Sequence, residues 1–452
     1  MQQLFRDGST FLQAGKPQEA LARFQAALDL DPSNAILHLH AGAALHDLGR
    51  YAEAVASYRK ALGSAPDIGE THNNLGNSLL ALGRFAEAAD CFSRAAAILT
   101  TSAVPLAARA TALQALGKIS AAEAECRKAI LLDPAFAAAH WNLALNLLLQ
   151  GQYVEGWQEY EWRWRKPDFT SPCRHTDIPL WDGSLLEGKI ILLHAEQGFG
   201  DAIQFVRYAP LVAERGGTVI IECHPQLVRL FQTVPGVWHV VPFGAALPPF
   251  SCQAPLLTLP GIFGTTLKNI PSMYPYLWAT TEQRLKWSAL MSAYPADIRV
   301  GLVWVGKSFP DPLRSCRLAE LAPLASINNV TFFSLQLEDG AQQGNSPPSG
   351  MDLADLTGQI DDFADTAALI EQLDLVITID TAVAHLAGAI GKKVYLMLPF
   401  APDWRWLLER NDSPWYPLTR IFRQKQPGDW GNVITSMQSA LETFSRSNKK
   451  IL

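Results

Sequence analysis

The chain has 452 residues, too many for one ordinary core, so two or three domains are expected. Hydrophobic residues make up 48% and charged residues 18%, a composition that excludes a disordered chain. A net charge of −6 argues against nucleic acid as a main partner, because phosphate binding needs clustered Lys and Arg.

Cysteines stand at 91, 126, 173, 223, 252 and 316, with no CxxC pair. That spacing predicts neither a zinc site nor a disulfide framework, and the scatter fits a reducing compartment. The opening stretch MQQLFRDGSTFLQAGK lacks the apolar run of a secretory signal, and no apolar run is long enough to span a bilayer. The expectation is a soluble cytoplasmic protein with no transmembrane segment, no metal and no cofactor.

The first third is periodic. Gly15, Gly49, Gly83, Gly117 and Gly151 are each 34 residues apart. Other columns share the step: Ala20, Ala54, Ala88, Ala122 and Gly156; Phe24, Tyr58, Phe92, Cys126 and Tyr160; Pro32, Pro66 and Pro134. This is the period of the tetratricopeptide repeat, a helix–turn–helix. Glycine suits the turn between paired helices, and the small residue lets the pair approach. The aromatic is expected to fill the gap between neighbouring units, and proline to end the second helix. Five such units predict a superhelix whose concave face takes a peptide or partner protein. Asn73, Asn74 and Asn77 in THNNLGNSLL, and Asn142 and Asn146 in the fifth unit, are poor helix-interior residues. They read either as a ladder clamping a peptide backbone or as solvated polar positions. GWQEYEWRWRKPDF reads as a capping helix. Pro167, Pro172 and Pro179 mark a connector, so the array is assigned to 1–168 and the connector to 169–187.

The remainder alternates strand and helix. KIILLH (189–194), TVIIEC (218–223), WHVVPF (238–243), APLLTL (254–259), RVGLVWV (299–305), VTFFSLQ (330–336), DLVITID (374–380) and KVYLML (393–398) are predicted strands. Their split near 285–297 predicts two Rossmann-like domains, 188–290 and 291–452, facing a cleft. Ligands of such sheets bind beyond the carboxyl ends of the strands.

Beyond the first strand lies HAEQGFGDAIQF. As a dinucleotide fingerprint it offers Gly198 and Gly200, with Glu222 where a ribose-binding acid would lie. Ile203 occupies the third glycine position, however, and Asp201 would repel a pyrophosphate. A second reading makes Asp201 a general base, with the glycines as clearance for substrate. A third makes it a helix cap, which the local residues favour. His194 is left unassigned. After DLVITID, Asp380 precedes a helix starting at Thr381, Ala382 and Val383. That helix end suits a phosphate, Asp380 suits sugar hydroxyls, and His385 faces the phosphates or serves as a core histidine. Lys307, Arg314 and Arg317 follow RVGLVWV, where cations would neutralise a departing diphosphate. Arg317 reads as a solvated residue.

GFGDAIQF and DTAVAHLAGAIGKKV resemble the heptosyltransferase-like glycosyltransferases of glycosyltransferase family 9. The order of repeats, HAEQGFGDAIQFVRYAP, DFADTAALIEQLDLVITIDTAVAHLAG and DWRWLLERNDSPWYP resembles bacterial tetratricopeptide-repeat glycosyltransferases over nearly the whole chain. The resemblance implies a GT-B fold of two Rossmann-like domains, the second holding the donor. It also implies inverting, metal-independent transfer from a nucleotide sugar. Asp201 is then the base, Asp380, Thr381 and Ala382 bind donor with His385 close by, and Arg314 or Lys307 neutralises the diphosphate. Gln336 joins the donor side, and Gln197, Gly198 and Gly200 form the acceptor-side loop. The first α/β domain is shorter than the family's, which leaves the acceptor type open. By architecture the chain is similar to O-GlcNAc transferase, so a protein or peptide acceptor presented by the repeats is expected.

Trp404, Trp406, Trp415 and Tyr416 offer flat faces to stack on a base or sugar, or they pack between domains, the reading preferred for Trp406. GDWGNVITSMQSALETFSR reads as a final helix of the kind that crosses back to the first domain in GT-B proteins. The rival readings are a non-catalytic adaptor with an inactive second half and a nucleotide-sugar epimerase. An oligomer is compatible with all three.

Overall fold

Each 34-residue period begins a helix hairpin because its glycine takes a backbone angle that other residues avoid. Gly15, Gly49, Gly83 and Gly117 have φ of 69°, 73°, 72° and 71°. In this computed structural model, which describes residues 1–307 and 312–447, the hairpins are α1 (Gln2–Gln13) with α2 (Pro17–Leu28) and α3 (Ala35–Asp47) with α4 (Tyr51–Ser64). Next come α5 (Gly69–Ala81) with α6 (Phe85–Ile98), then α7 (Val104–Ala115) with α8 (Ile119–Leu132). The helix α9 (Ala137–Leu149) follows. The chain divides into a compact unit Met1–Leu147 and a second one from Leu148 onward.

The repeat aromatics do more within their own unit than the sequence predicts. Gly8, Gly42 and Gly76 sit inside first helices, and a Cβ there would lie 2.6, 2.5 and 2.6 Å from the rings of Phe24, Tyr58 and Phe92. Each ring therefore seats on a helical glycine of its own hairpin. Phe24 also reaches His40 of the next one, at 5.5 Å between ring centroids. In the fourth period both partners change: Ala110 replaces the glycine and Cys126 the ring, and both are fully buried. A second device recurs. His38, His72 and His140 bond through Nε2 to the carbonyls of Pro32, Pro66 and Pro134 at 2.9, 2.8 and 3.0 Å. The period with Thr100 at the proline position has Leu106 at the histidine position, so the pair is lost together.

The second unit holds two parallel sheets. In the first, β1 (Ile190–His194), β2 (Thr218–Cys223), β3 (Val237–Pro242) and β4 (Cys252–Pro255) lie in the order β3-β2-β1-β4. In the second, β5 (Ile298–Val303), β6 (Val330–Ser334), β7 (Leu353–Asp355), β8 (Leu375–Ile379), β9 (Val394–Leu398) and β10 (Thr419–Arg423) lie in the order β10-β9-β8-β5-β6-β7. Both orders reverse direction beside the first strand, as in doubly wound sheets, and place β1 and β5 centrally. The run APLLTL is not a strand throughout: pairing ends at Pro255 and Leu256–Thr258 turn as a 3₁₀ helix. The edge strands β7 and β10 escaped prediction. One has three residues, and the other, TRIFR, has only an apolar pair, Ile421 and Phe422, flanked by arginines that reach solvent.

The terminal helix Trp430–Ser447 stays on its own sheet instead of crossing back. Trp430, Val433, Met437 and Leu441 are buried with Ile298, Val300 and Leu302 of β5 in one core, because the helix carries a full apolar stripe toward that sheet. The two α/β halves are joined by buried cations. Arg207 donates from both terminal nitrogens to the Trp415 carbonyl at 3.1 Å and to the Tyr276 hydroxyl at 3.0 Å. Trp404, Trp406, Trp415 and Tyr416 are 3, 0, 2 and 1% exposed. Trp404 and Trp415 pack on Phe205, and Tyr416 lies under Arg207, across the halves, whereas the Trp406 ring lies on His385 and Tyr416 of its own half. None offers an open face, which corrects the ligand-stacking expectation.

Candidate functional site

The loop after β1 is held by its neighbours before it reaches the acid. The buried Glu196 carboxylate takes two bonds from Arg163, at 3.2 and 2.9 Å, and Arg163 also reaches Thr258 at 2.8 Å. Gln197, not a glycine, adopts the left-handed backbone, with φ of 59°. Its N–H donates to Ser171 Oγ at 2.7 Å and its amide to the Tyr160 hydroxyl at 2.9 Å. Gly198 is extended and caps α11 (Phe199–Phe205). Gly200 faces the helix Ala382–Ala389: a Cβ there would lie 2.8 Å from the His385 ring and 3.6 Å from Ala382 Cα. Its missing side chain lets two helices touch, so Gly200 gives a packing contact where clearance for substrate was expected.

Asp201 is at the third position of α11. Its Oδ2 accepts from the Gly198 N–H at 2.9 Å, which is a cap, and its Oδ1 accepts from Arg405 Nη2. Burial lifts the Asp201 carboxyl above the ordinary aspartate range, against the pull of Arg405. Arg405 lies beyond β9. It also donates through Nε to Gln204 at 2.7 Å and through Nη1 to both oxygens of Asp403 at 3.0 and 3.1 Å. Asp403, Gln204 and Arg405 went unnoticed in the sequence. The signal was an Asp-x-Arg just past a predicted strand, masked by the tryptophans around it.

At the end of β8, burial and then the Asp403 carboxylate push Asp380 up to about 7. His385 Nε2 is 3.8 Å from Asp380 Oδ1, and its Nδ1 shares a 2.9 Å hydrogen bond with the Tyr416 hydroxyl. Burial drives His385 well below the ordinary histidine range, so it is neutral. It stacks on Trp406 at 5.3 Å. Thr381 and Ala382 are half-buried at the start of the following helix, whose first N–H groups have no intrahelical acceptor. Lys307 is exposed, and its carbonyl accepts from Arg314 Nη2 at 2.9 Å. The Arg314 guanidinium lies over Gly306. Arg317 is 79% exposed, a solvated residue paired loosely with Glu320.

The tetratricopeptide repeat family matches residues 5–69 and 107–161, and a second tetratricopeptide repeat family matches 69–101. The N-terminal region is made of tetratricopeptide repeats. Protein FlbA of Caulobacter vibrioides is 27% identical over 385 residues, covering 75% of this chain. The chain spans 61% of that relative's length. Among solved structures, MamA from Desulfovibrio magneticus is 21% identical, with 35% of this chain and 90% of that one covered and a TM-score of 0.34. Pseudomonas aeruginosa pilF is 23% identical, with 36% and 73% covered and a TM-score of 0.34.

Several predicted ligands have structural work instead. Gln336 is 4% exposed. Its Oε1 accepts from Trp304 N and Val305 N at 3.0 and 2.9 Å, and its Nε2 donates to Val305 O and Asp339 O at 2.9 and 2.8 Å. Its amide is fully occupied as a brace between the ends of β5 and β6, leaving nothing for a donor. Glu222 takes Arg174 and His175, each at 3.0 Å, so it does not serve as a ribose acid. His194 braces β1 to β4 through a 2.9 Å bond with Gln253, and burial lowers it to about 3. In the repeats, Asn142 donates to the Ala107 carbonyl and Thr111 hydroxyl of α7, both at 3.1 Å. Asn146 is fully buried and donates to the Asn142 carbonyl at 2.8 Å. Asn73 and Asn74 are half-buried and Asn77 is exposed. A cavity of about 480 Å³ lies beside the connector, lined by Trp164, Arg174, His194, Gln253 and Thr258 among others. Among the described residues, no helix is long and apolar enough to cross a membrane.

Proposed function

We propose that the chain is a GT-B glycosyltransferase that moves a sugar from a nucleotide-sugar donor to a hydroxyl on a protein or peptide held by the repeats. The displacement is inverting and needs no metal. One observation carries this reading: the start of α11, bearing Asp201, touches the helix that follows Asp380 and Thr381, through Gly200 and His385. Two strand ends of separate parallel sheets thus contribute to one place, where ligands of such sheets bind. In this reading Asp201 takes the proton of the acceptor hydroxyl as it attacks the anomeric carbon, a role suited by its raised carboxyl. Thr381, Ala382 and the helix start hold the diphosphate, Arg314 and Lys307 balance its charge, and Asp380 accepts from sugar hydroxyls. The repeats support a protein-interaction role.

The adaptor reading has one observation in its favour: both oxygens of Asp201 already carry hydrogen bonds. A panel of nucleotide sugars read by thermal shift and by transfer to candidate peptides separates the two. A donor at about a hundred times its Kd stabilises the folded chain by roughly 2.7 kcal/mol. Asp201→Asn is expected to keep that shift and abolish transfer. Absence of a shift with every donor would leave the adaptor, and transfer surviving in Asp201→Asn would remove Asp201 as base.

A further inference from the structure

Arg405 binds the proposed base from the opposite half of the α/β unit, across 204 residues of sequence. Its side chain is nearly buried, at 9% exposure, and its guanidinium lies 4.3 Å over the Trp404 ring. Each nitrogen of the fork has its own acceptor: Nε has Gln204, Nη1 has Asp403 and Nη2 has Asp201. Gln204 stands three residues after Asp201 on α11, so Arg405 grips that helix at two points while Asp403 fixes the fork from its own loop. A planar fork held at three edges cannot turn without breaking all of them, whereas a lysine ammonium has no such constraint.

We propose that Arg405 is the positioning residue for Asp201, aiming its carboxylate and holding it ionised. This rests on the reading of Asp201 as the base. The other groups facing Asp201 do not replace Arg405. Tyr160 from α10 (Tyr153–Tyr160) and Glu196 from the loop after β1 bring no positive charge, and Glu196 is itself paired with Arg163. His385, against Gly200, is neutral. Asp403 disfavours a second charge, and Asp380 interacts with Asp403 and with His385. Loss of Arg405 therefore leaves a buried carboxylate among other acids, and its protonation moves to higher pH.

The test uses the full chain, with carbon-13 carboxyl-labelled aspartate and the Asp201 signal assigned by its loss in Asp201→Asn. In Arg405→Gln the Asp201 midpoint is expected to rise by about 1 to 2 pH units. The acid limb of kcat/KM for transfer should rise with it. Arg405→Lys keeps the charge and loses the fork. It is expected to hold the midpoint near that of the native chain while kcat falls by about a hundredfold, the scale of a displaced catalytic group. An unmoved midpoint in Arg405→Gln, or native kcat in Arg405→Lys, would overturn the proposal. The titration needs no donor. A shifted midpoint in a chain that transfers no sugar would retire the glycosyltransferase reading and leave the Arg405–Asp201 linkage standing.

Discussion

At the scale of single residues, the site is a set of acids whose protonation depends on burial. Asp380, pushed up to about 7, is the clearest. An unfolded aspartate titrates near 4, so between about 4 and about 7 the folded chain binds more protons than the unfolded one. Stability therefore falls as pH rises through that window. Asp380→Asn removes this term, and the expected outcome is a variant that gains stability relative to the native chain at pH 8 but not at pH 4, measured by urea unfolding at both. Equal differences at the two pH values would contradict the assignment. Residue roles were legible in part. Asp201 reads as a cap from its place at the start of an apolar helix, and from the first turn it does cap the Gly198 N–H. Its bond to Arg405 leaves no local trace, because the two lie 204 residues apart.

At the scale of elements, the repeat hairpins show how one position answers another. Gly42 admits the Tyr58 ring at a distance no Cβ tolerates, so Gly42→Ala forces ring or backbone to move. A cost of about 1–3 kcal/mol is expected. The fourth period, with Ala110 and Cys126, pairs the two changes naturally. Gly42→Ala combined with Tyr58→Cys should thus cost less than the sum of its parts. A double-mutant cycle is expected to give a coupling of roughly 0.5–3 kcal/mol, and strict additivity would refute the pairing. The 34-residue period was readable because glycine, alanine and ring recur in register. The seating of the ring on the helical glycine was not, since position 8 was one small residue among many. Edge strands were missed for a related reason: β10 lacks the continuous apolar run that marks its buried neighbours.

At the scale of the second unit as a whole, the two sheets share a buried interface that depends on cations from one side and carbonyls or carboxylates from the other. Arg207, 3% exposed, meets the Trp415 carbonyl and Tyr276 hydroxyl while lying 4.5 Å over the Tyr276 ring. Arg207→Leu leaves the Trp415 carbonyl without its donors inside a buried interface, at about 1–3 kcal/mol, and removes the cation from over the Tyr276 ring, while the Tyr276 hydroxyl keeps its bond to the Ile203 carbonyl. The expected result is a loss of roughly 3 kcal/mol in denaturant unfolding, together with faster proteolysis between the two sheets. A variant as stable and as resistant as the native chain would mean that the aromatic packing alone joins the halves.

What the sequence by itself determined is whatever repeats locally: the helix hairpins, whose period is carried by glycine and small residues, and the central strands, whose burial on both faces demands continuous apolar runs. It also located the strand ends where Asp201, Thr381 and Asp380 stand. Only the tertiary structure decided which of those ends are neighbours. Gly200 became a helix contact, Gln336 a brace and Arg405 the partner of Asp201. The physical reason is range. Periodicity and hydrophobic burial are properties of a few consecutive residues, whereas an ion pair or a close helix approach depends on the strand order that brings distant segments to one edge.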